Sequence, residues 1–125
     1  MTPTILIADD HDDSRELLQL LLLGAGYQVK EARDGSECLT LAKSEQPDLI
    51  VMDLSMPVLD GWGVFLQLKT DDRTRAIPCM VVTAHAELNR IQALEAGFSA
   101  YLSKPFSSEV LLKTVASLLP SQQAE

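Results

Sequence analysis

Five side chains in this sequence share one local setting. Asp9 and Asp10 follow the apolar run "TILIA", Asp53 ends "DLIVMD", Thr83 lies near the end of "CMVVTA", and Lys104 ends "AYLSK". The first three runs are short, apolar and rich in β-branched residues, the pattern of a buried strand, and the fourth is a short run that also reads as a strand. A charge at the end of such a strand costs free energy unless something at that end uses it. Three carboxylates brought to one place repel one another and would take up protons unless a cation shared them. Hard oxygen donors, with no Cys or His pair, suit Mg²⁺ or Mn²⁺ and not zinc. Lys104 would add an ammonium and Thr83 a hydroxyl donor. A phosphoryl group above Asp53 would then meet positive charge and a hydrogen-bond donor on several sides. Transfer of such a group depends largely on positioning and charge neutralisation. Asp53 is the nucleophile in this reading.

The elements that must position these residues can be read from the hydrophobic pattern. Strands are expected over 4–8, 27–32, 48–53, 79–84 and 100–104, and helices over 12–24, 35–46, 61–72, 86–96 and 107–119. No two-residue hairpin turn joins any pair of strands, so strict alternation predicts an α/β fold: a doubly wound parallel sheet with helices on both faces. Ligands of such sheets bind beyond the carboxyl ends of the strands, where strand order reverses. That rim is where Asp9, Asp10, Asp53, Thr83 and Lys104 fall.

Composition narrows the function classes. A chain of 125 residues, 46% hydrophobic, is expected to fold as one domain without metal or disulfide staples. Ten basic against 18 acidic residues give a net charge of -8, which disfavours direct contact with nucleic acid or an anionic membrane. No run approaches the roughly 20 apolar residues of a membrane span, so a soluble, cytoplasmic protein is expected. Cys38 and Cys79 form no CxxC and read as buried, reduced thiols.

The Asp9-Asp10 pair, "DLSMPVLDG" around Asp53, "VVTA" with Thr83-Ala84 and "AYLSKPF" with Lys104-Pro105 resemble, in order and spacing, the receiver domain of two-component response regulators. The likeness is to the single-domain, chemotaxis-regulator type and covers essentially the whole chain: residues 1–120 as the receiver and 121–125 as a polar tail. It implies a flavodoxin-like fold of five parallel strands in the order 2-1-3-4-5 with five helices. It implies that Asp53 accepts phosphoryl from a phosphohistidine of a sensor kinase or phosphotransfer protein. Asp10 would bind Mg²⁺ directly and Asp9 partly through water, with the backbone carbonyl of Ser55 as a further ligand. Lys104 would contact the phosphoryl oxygens, Thr83 would report their presence, and Tyr101 would be the aromatic switch whose ring turns inward. A cis Lys104-Pro105 bond is implied as well, and Ser55 and His85 would influence the lifetime of the phosphoryl group. The domain would catalyse its own phosphorylation and dephosphorylation, with no turnover of an external substrate, and signal to a downstream protein through its changed surface.

Rival readings are weaker. A flavodoxin-like electron carrier would need Ser, Thr and Gly amides in its first loop, where "DDHDDS" would repel a phosphate. A haloacid-dehalogenase-type phosphatase would want an acid where Ser55 stands. A receiver-fold interaction module that works without phosphorylation is the remaining alternative. Asp12 and Asp13 read as a solvated helix start, His11 and His85 as exposed loop side chains without a second ligand at metal spacing, and Trp62 and Phe65 as packing for the third helix. "GAGYQV" follows a helix and precedes a strand, the reverse of a dinucleotide fingerprint. On a helical wheel Leu17, Leu18, Leu20 and Leu21 suffice to face the core, leaving Leu22 and Leu23 partly exposed beside Arg15, Glu16 and Gln19. In the receiver family this helix commonly meets the bundle bearing the donor histidine, so Leu22 and Leu23 are expected to form part of a docking patch.

Overall fold

The run Leu49–Met52, strand β3, is buried at every residue, and both faces of the surrounding sheet are covered to make that possible. The computed structural model describes residues 2–54, 56, 59–84 and 86–119, those of 86–89 by backbone only. Around β3 lie β1 (Thr4–Ala8), β2 (Gln28–Ala32), β4 (Cys79–Thr83) and β5 (Ala100–Ser103). The helices are α1 (Asp12–Gly24), α2 (Gly35–Glu45), α3 (Gly61–Lys69), α4 (Ala86–Ala96) and α5 (Ser108–Leu118). All strand pairings are parallel and the order is β2-β1-β3-β4-β5, the doubly wound arrangement expected from the alternation.

Successive side chains of a strand point to opposite faces, and here they divide the core in two. Leu6, Ala8, Ile50, Met52 and Val81 face α2, α3 and α4 through Cys38, Ala42, Val64, Leu68 and Ala93. Ile5, Ile7, Leu49, Val51, Met80 and Val82 face α1 and α5 through Leu18, Leu22, Leu111 and Val115. Phe65 stacks on Phe98 at 3.9 Å between ring centroids, and Trp62 meets the same ring edge-on, so these two aromatics pack α3 as expected. Both cysteines are buried free thiols, and burial pushes each up to about 12.

Helix ends follow local chemistry. Asp34, Asp60 and Ser107 accept hydrogen bonds from the backbone N–H groups of Glu37, Gly63 and Val110 and so cap α2, α3 and α5. The "GAGYQV" segment is a helix stop. Gly26 takes φ +97, where a side chain would be strained, and turns the chain from α1 into β2. The third helix is shorter than expected, ending at Lys69 and not at 72. The Thr74 hydroxyl donates to the Leu68 carbonyl at 2.7 Å, and Lys69 Nζ donates to the carbonyls of Arg75 and Ile77; both fold the chain back on itself after Lys69.

The orientation of α1 corrects the helical-wheel expectation. Leu18 and Leu22 are the buried residues and Leu21 is half-buried, whereas Leu17, Leu20 and Leu23 are exposed. With leucine at nearly every position from 17 to 23, hydrophobicity does not fix the rotation of the helix. The sheet does, by receiving Leu18 and Leu22 against Ile5, Ile7 and Val51. Leu22, at 0% exposure, therefore cannot belong to a docking patch, while Leu23, at 48%, can. Leu22→Ala should cost roughly 2–5 kcal/mol in chemical denaturation, and Leu23→Ser should stay within about 0.5 kcal/mol of the parent. Equal effects of the two changes would contradict this rotation of α1.

Candidate functional site

The sheet ladder continues one residue past β1, β3 and β5 into the rim. Asp9 N–H donates to the Ala32 carbonyl at the end of β2, Asp53 N–H to Ala8 at the end of β1, and Lys104 N–H to Thr83 at the end of β4, at 3.1, 3.0 and 2.9 Å. These bonds fix the backbones from which three charged side chains project. A further close approach holds the loop after Asp53: Gly61 N–H donates to the Leu54 carbonyl at 2.9 Å. A Cβ on Gly61 would come within 2.8 Å of Leu54 Cα and 2.9 Å of the Asp53 carbonyl. The glycine of "LDGW" thus lets α3 begin directly against the strand end that carries Asp53.

Asp53 is 4% exposed, and Asp9 is more deeply buried. Lys104 Nζ bridges them, 2.8 Å from Asp9 Oδ2 and 3.1 Å from Asp53 Oδ2. Partial burial lowers the lysine's pKa, but its hydrogen bonds and charge attractions with the two aspartates outweigh this, and the net shift is upward. Asp10 is half-buried beside them. Its Oδ1 atom is withdrawn from solvent and accepts no hydrogen bond among the described residues. Oxygens of Asp9, Asp10 and Asp53, together with a ring nitrogen of His11, all lie within 4.8 Å of one another. The three carboxylates of this set fit a hard divalent cation such as Mg²⁺ or Mn²⁺.

Thr83 is buried at the end of β4 and pairs with Ser103 in the register with β5. Tyr101 is only 3% exposed and belongs to the core between the sheet and α4. Its ring is therefore inward in this structure. Arg90 lies over the ring at 6.0 Å and donates to the Tyr101 carbonyl at 3.4 Å. The Lys104-Pro105 bond is cis, as the resemblance implied. Ser55, His85 and the tail from 120 onward lie outside the described residues.

Two residues carry more of the site than the sequence suggested. Arg15 donates through Nη1 to the Asp9 carbonyl at 2.8 Å and through Nε to Glu31 at 3.1 Å, and also pairs with Asp12. It braces the acidic loop from the first turn of α1. Its backbone N–H donates to the His11 carbonyl, one helical turn back. His11 is 64% exposed, as a loop residue should be, but its Nδ1 sits 3.2 Å from both Asp9 Oδ1 and Asp10 Oδ1, which corrects its reading as a bystander.

A five-stranded parallel sheet in the order 2-1-3-4-5, with its ionisable residues gathered on the carboxyl rim, defines a flavodoxin-like α/β domain. Within that class the chain belongs to the response regulator receiver domain family, whose model matches residues 5–116. It is 42% identical over 118 residues to the DNA-binding dual master transcriptional regulator RpaA of Synechocystis, a match covering 94% of this chain and 49% of that protein. The chain thus spans about half the length of that relative. Protein PilH of Pseudomonas aeruginosa is 38% identical over 116 residues, 92% of this chain and 96% of PilH. The receiver domain of a P. aeruginosa sensor histidine kinase, solved with a magnesium ion coordinated in its active site cleft, superposes with a TM-score of 0.88 at 29% identity, covering 97% of this chain and 100% of that one. No helix among the described residues is long and apolar enough to cross a membrane.

Removing the bridging ammonium would leave two largely buried carboxylates facing each other. Lys104→Gln should lower the unfolding free energy at neutral pH by roughly 1–3 kcal/mol, and millimolar Mg²⁺ should recover part of the loss. Because the folded-state pKa of Lys104 is raised, its contribution is complete below the unfolded value of 10.5 and is lost as pH rises through the higher folded value. Urea midpoints of the parent and the variant that coincide at pH 7 would contradict the bridge.

Proposed function

We propose that this receiver domain is a phosphorylation-dependent switch in which Asp53 accepts a phosphoryl group from a phosphohistidine of a sensor kinase or phosphotransfer protein. The observation that carries the reading is the nearly buried Asp53 carboxylate beside the Lys104 ammonium, with the oxygens of Asp9 and Asp10 at hand for a cation. An Asp53 oxygen attacks phosphorus while the bond from phosphorus to the donor's imidazole nitrogen breaks. The electron pair returns to that ring, and Asp53 becomes an acyl phosphate. Lys104 then neutralises a phosphoryl oxygen, and the Thr83 hydroxyl donates to another. Asp9, Asp10 and Asp53, with the Ser55 carbonyl, would hold Mg²⁺ or Mn²⁺, which when bound offsets both the carboxylate repulsion and the incoming phosphoryl charge. The magnesium ion in the cleft of the similar kinase receiver supports that assignment.

The exposed leucines of α1, with Leu23 at their end, form the surface offered to the phosphohistidine donor. The cytoplasm is the compartment where such donors act, and a downstream protein reads the result. The alternative, an interaction module that works without phosphorylation, gives no reason to keep three carboxylates and a bridging lysine together. With Mg²⁺ and acetyl phosphate, intact mass should rise by one phosphoryl group, and Asp53→Asn should abolish the gain. Leu23→Ser should leave that labelling unchanged and slow transfer from a phosphohistidine protein. Equal labelling of Asp53→Asn would refute the nucleophile, and an unchanged transfer rate would remove Leu23 from the donor surface.

Thr83 is the group through which the phosphoryl biases the fold. A hydrogen bond to a charged acceptor contributes roughly 1.5–3 kcal/mol, which moves a two-state population about tenfold or more. Since Tyr101 is already buried, the response is expected as a tightening of the Tyr101 and Arg90 region against β4. Thr83→Ala should accept phosphoryl at Asp53 yet lose most of the NMR shifts that beryllofluoride induces over residues 90–104. A full wild-type shift pattern in the variant would mean that the signal leaves the site by another route.

A further inference from the structure

We infer that His11 is an inner-sphere ligand of the divalent-cation site, making this receiver's site selective for first-row transition ions over Mg²⁺. The inference rests on the metal reading above and goes beyond it by adding a nitrogen donor to an otherwise all-oxygen set. The His11 backbone N–H donates to Asp9 Oδ1 at 2.9 Å, which fixes the loop so that the ring's Nδ1 faces the acids. That nitrogen stands 3.2 Å from Asp9 Oδ1 and 3.2 Å from Asp10 Oδ1. Two adjacent ligands of an octahedral ion with bonds of about 2.1 Å lie about 3.0 Å apart. The nitrogen and each of these oxygens thus have the spacing of neighbouring ligands around one ion.

Both oxygens lie on the side of the cluster that the His11 ring faces. Asp10 Oδ1 is withdrawn from solvent and accepts no hydrogen bond among the described residues. Lys104 engages the opposite oxygen of Asp9, Oδ2, and leaves Oδ1 on the His11 side. Imidazole adds little for Mg²⁺, which prefers oxygen and gives up water reluctantly, but it favours Co²⁺, Ni²⁺ and Zn²⁺ strongly. Because the ring is attached at the solvent side of the cluster, it can complete the coordination of such an ion without disturbing the buried Asp53.

The test compares the full chain with His11→Ala, a change at an exposed side chain. Calorimetric titration with Co²⁺ and with Mg²⁺ should show Co²⁺ affinity falling by about tenfold or more in the variant, while Mg²⁺ affinity changes less than about twofold. Pulsed EPR of bound Mn²⁺ should show coupling to a directly bound nitrogen in the parent and none in His11→Ala. Unchanged Co²⁺ affinity, no nitrogen coupling in the parent, or coupling that persists in the variant would overturn the inference. Mg²⁺ binding to both proteins alongside any of those results would overturn it alone; failure of both proteins to bind any divalent ion would overturn the metal reading with it.

Discussion

One ammonium group sits between two carboxylates that are almost wholly withdrawn from water, and the rest of the molecule is consistent with that contact. Lys104 enters from the end of β5, Asp9 from β1 and Asp53 from β3, so the bridge joins elements far apart in sequence. Two like charges in a poorly solvated place would otherwise drive each other to protonate or push the strand ends apart. With the lysine present, the buried Asp53 carboxylate lies beside an opposite charge.

The bridge works only if the three backbones are held rigidly, and the parallel ladder supplies that rigidity. Each of the three residues is anchored by a main-chain bond to the end of a neighbouring strand, so the charges are carried on the hydrogen-bonded ends of the sheet. Gly61 and Arg15 extend this support outward. The glycine lets α3 close against the Asp53 loop, and the arginine ties the acidic loop to α1 and β2. The site is therefore organised before any ligand arrives, which is what electrostatic stabilisation of a transferring group requires.

Much of this was legible in the sequence, because parallel strands buried on both faces are written as uninterrupted apolar runs. A charge that ends such a run announces the rim, and that is how Asp9, Asp53 and Lys104 could be grouped without coordinates. Other features were not legible. The rotation of α1 was hidden because leucine fills nearly every position from 17 to 23 and leaves no polar stripe to mark the outer face. The roles of His11 and Arg15 were hidden because they depend on where a short loop aims a ring and a guanidinium, which no period in the sequence encodes. The inward position of Tyr101 depends on a contact between α4 and β5, again a matter of tertiary packing.

The sheet also acts as a partition. Side chains on one face of each strand belong to a half-core with α2, α3 and α4, and those on the other to a half-core with α1 and α5. No buried side chain among these belongs to both. Substitutions that reshape one half-core are felt in the other mainly through the backbone between them, and distant, independent changes tend to add. The two sides can accordingly drift at different rates in evolution. A lineage could revise the helix that carries the exposed leucines and still keep the packing around Tyr101, so that the two sides of a single small fold are separately inherited.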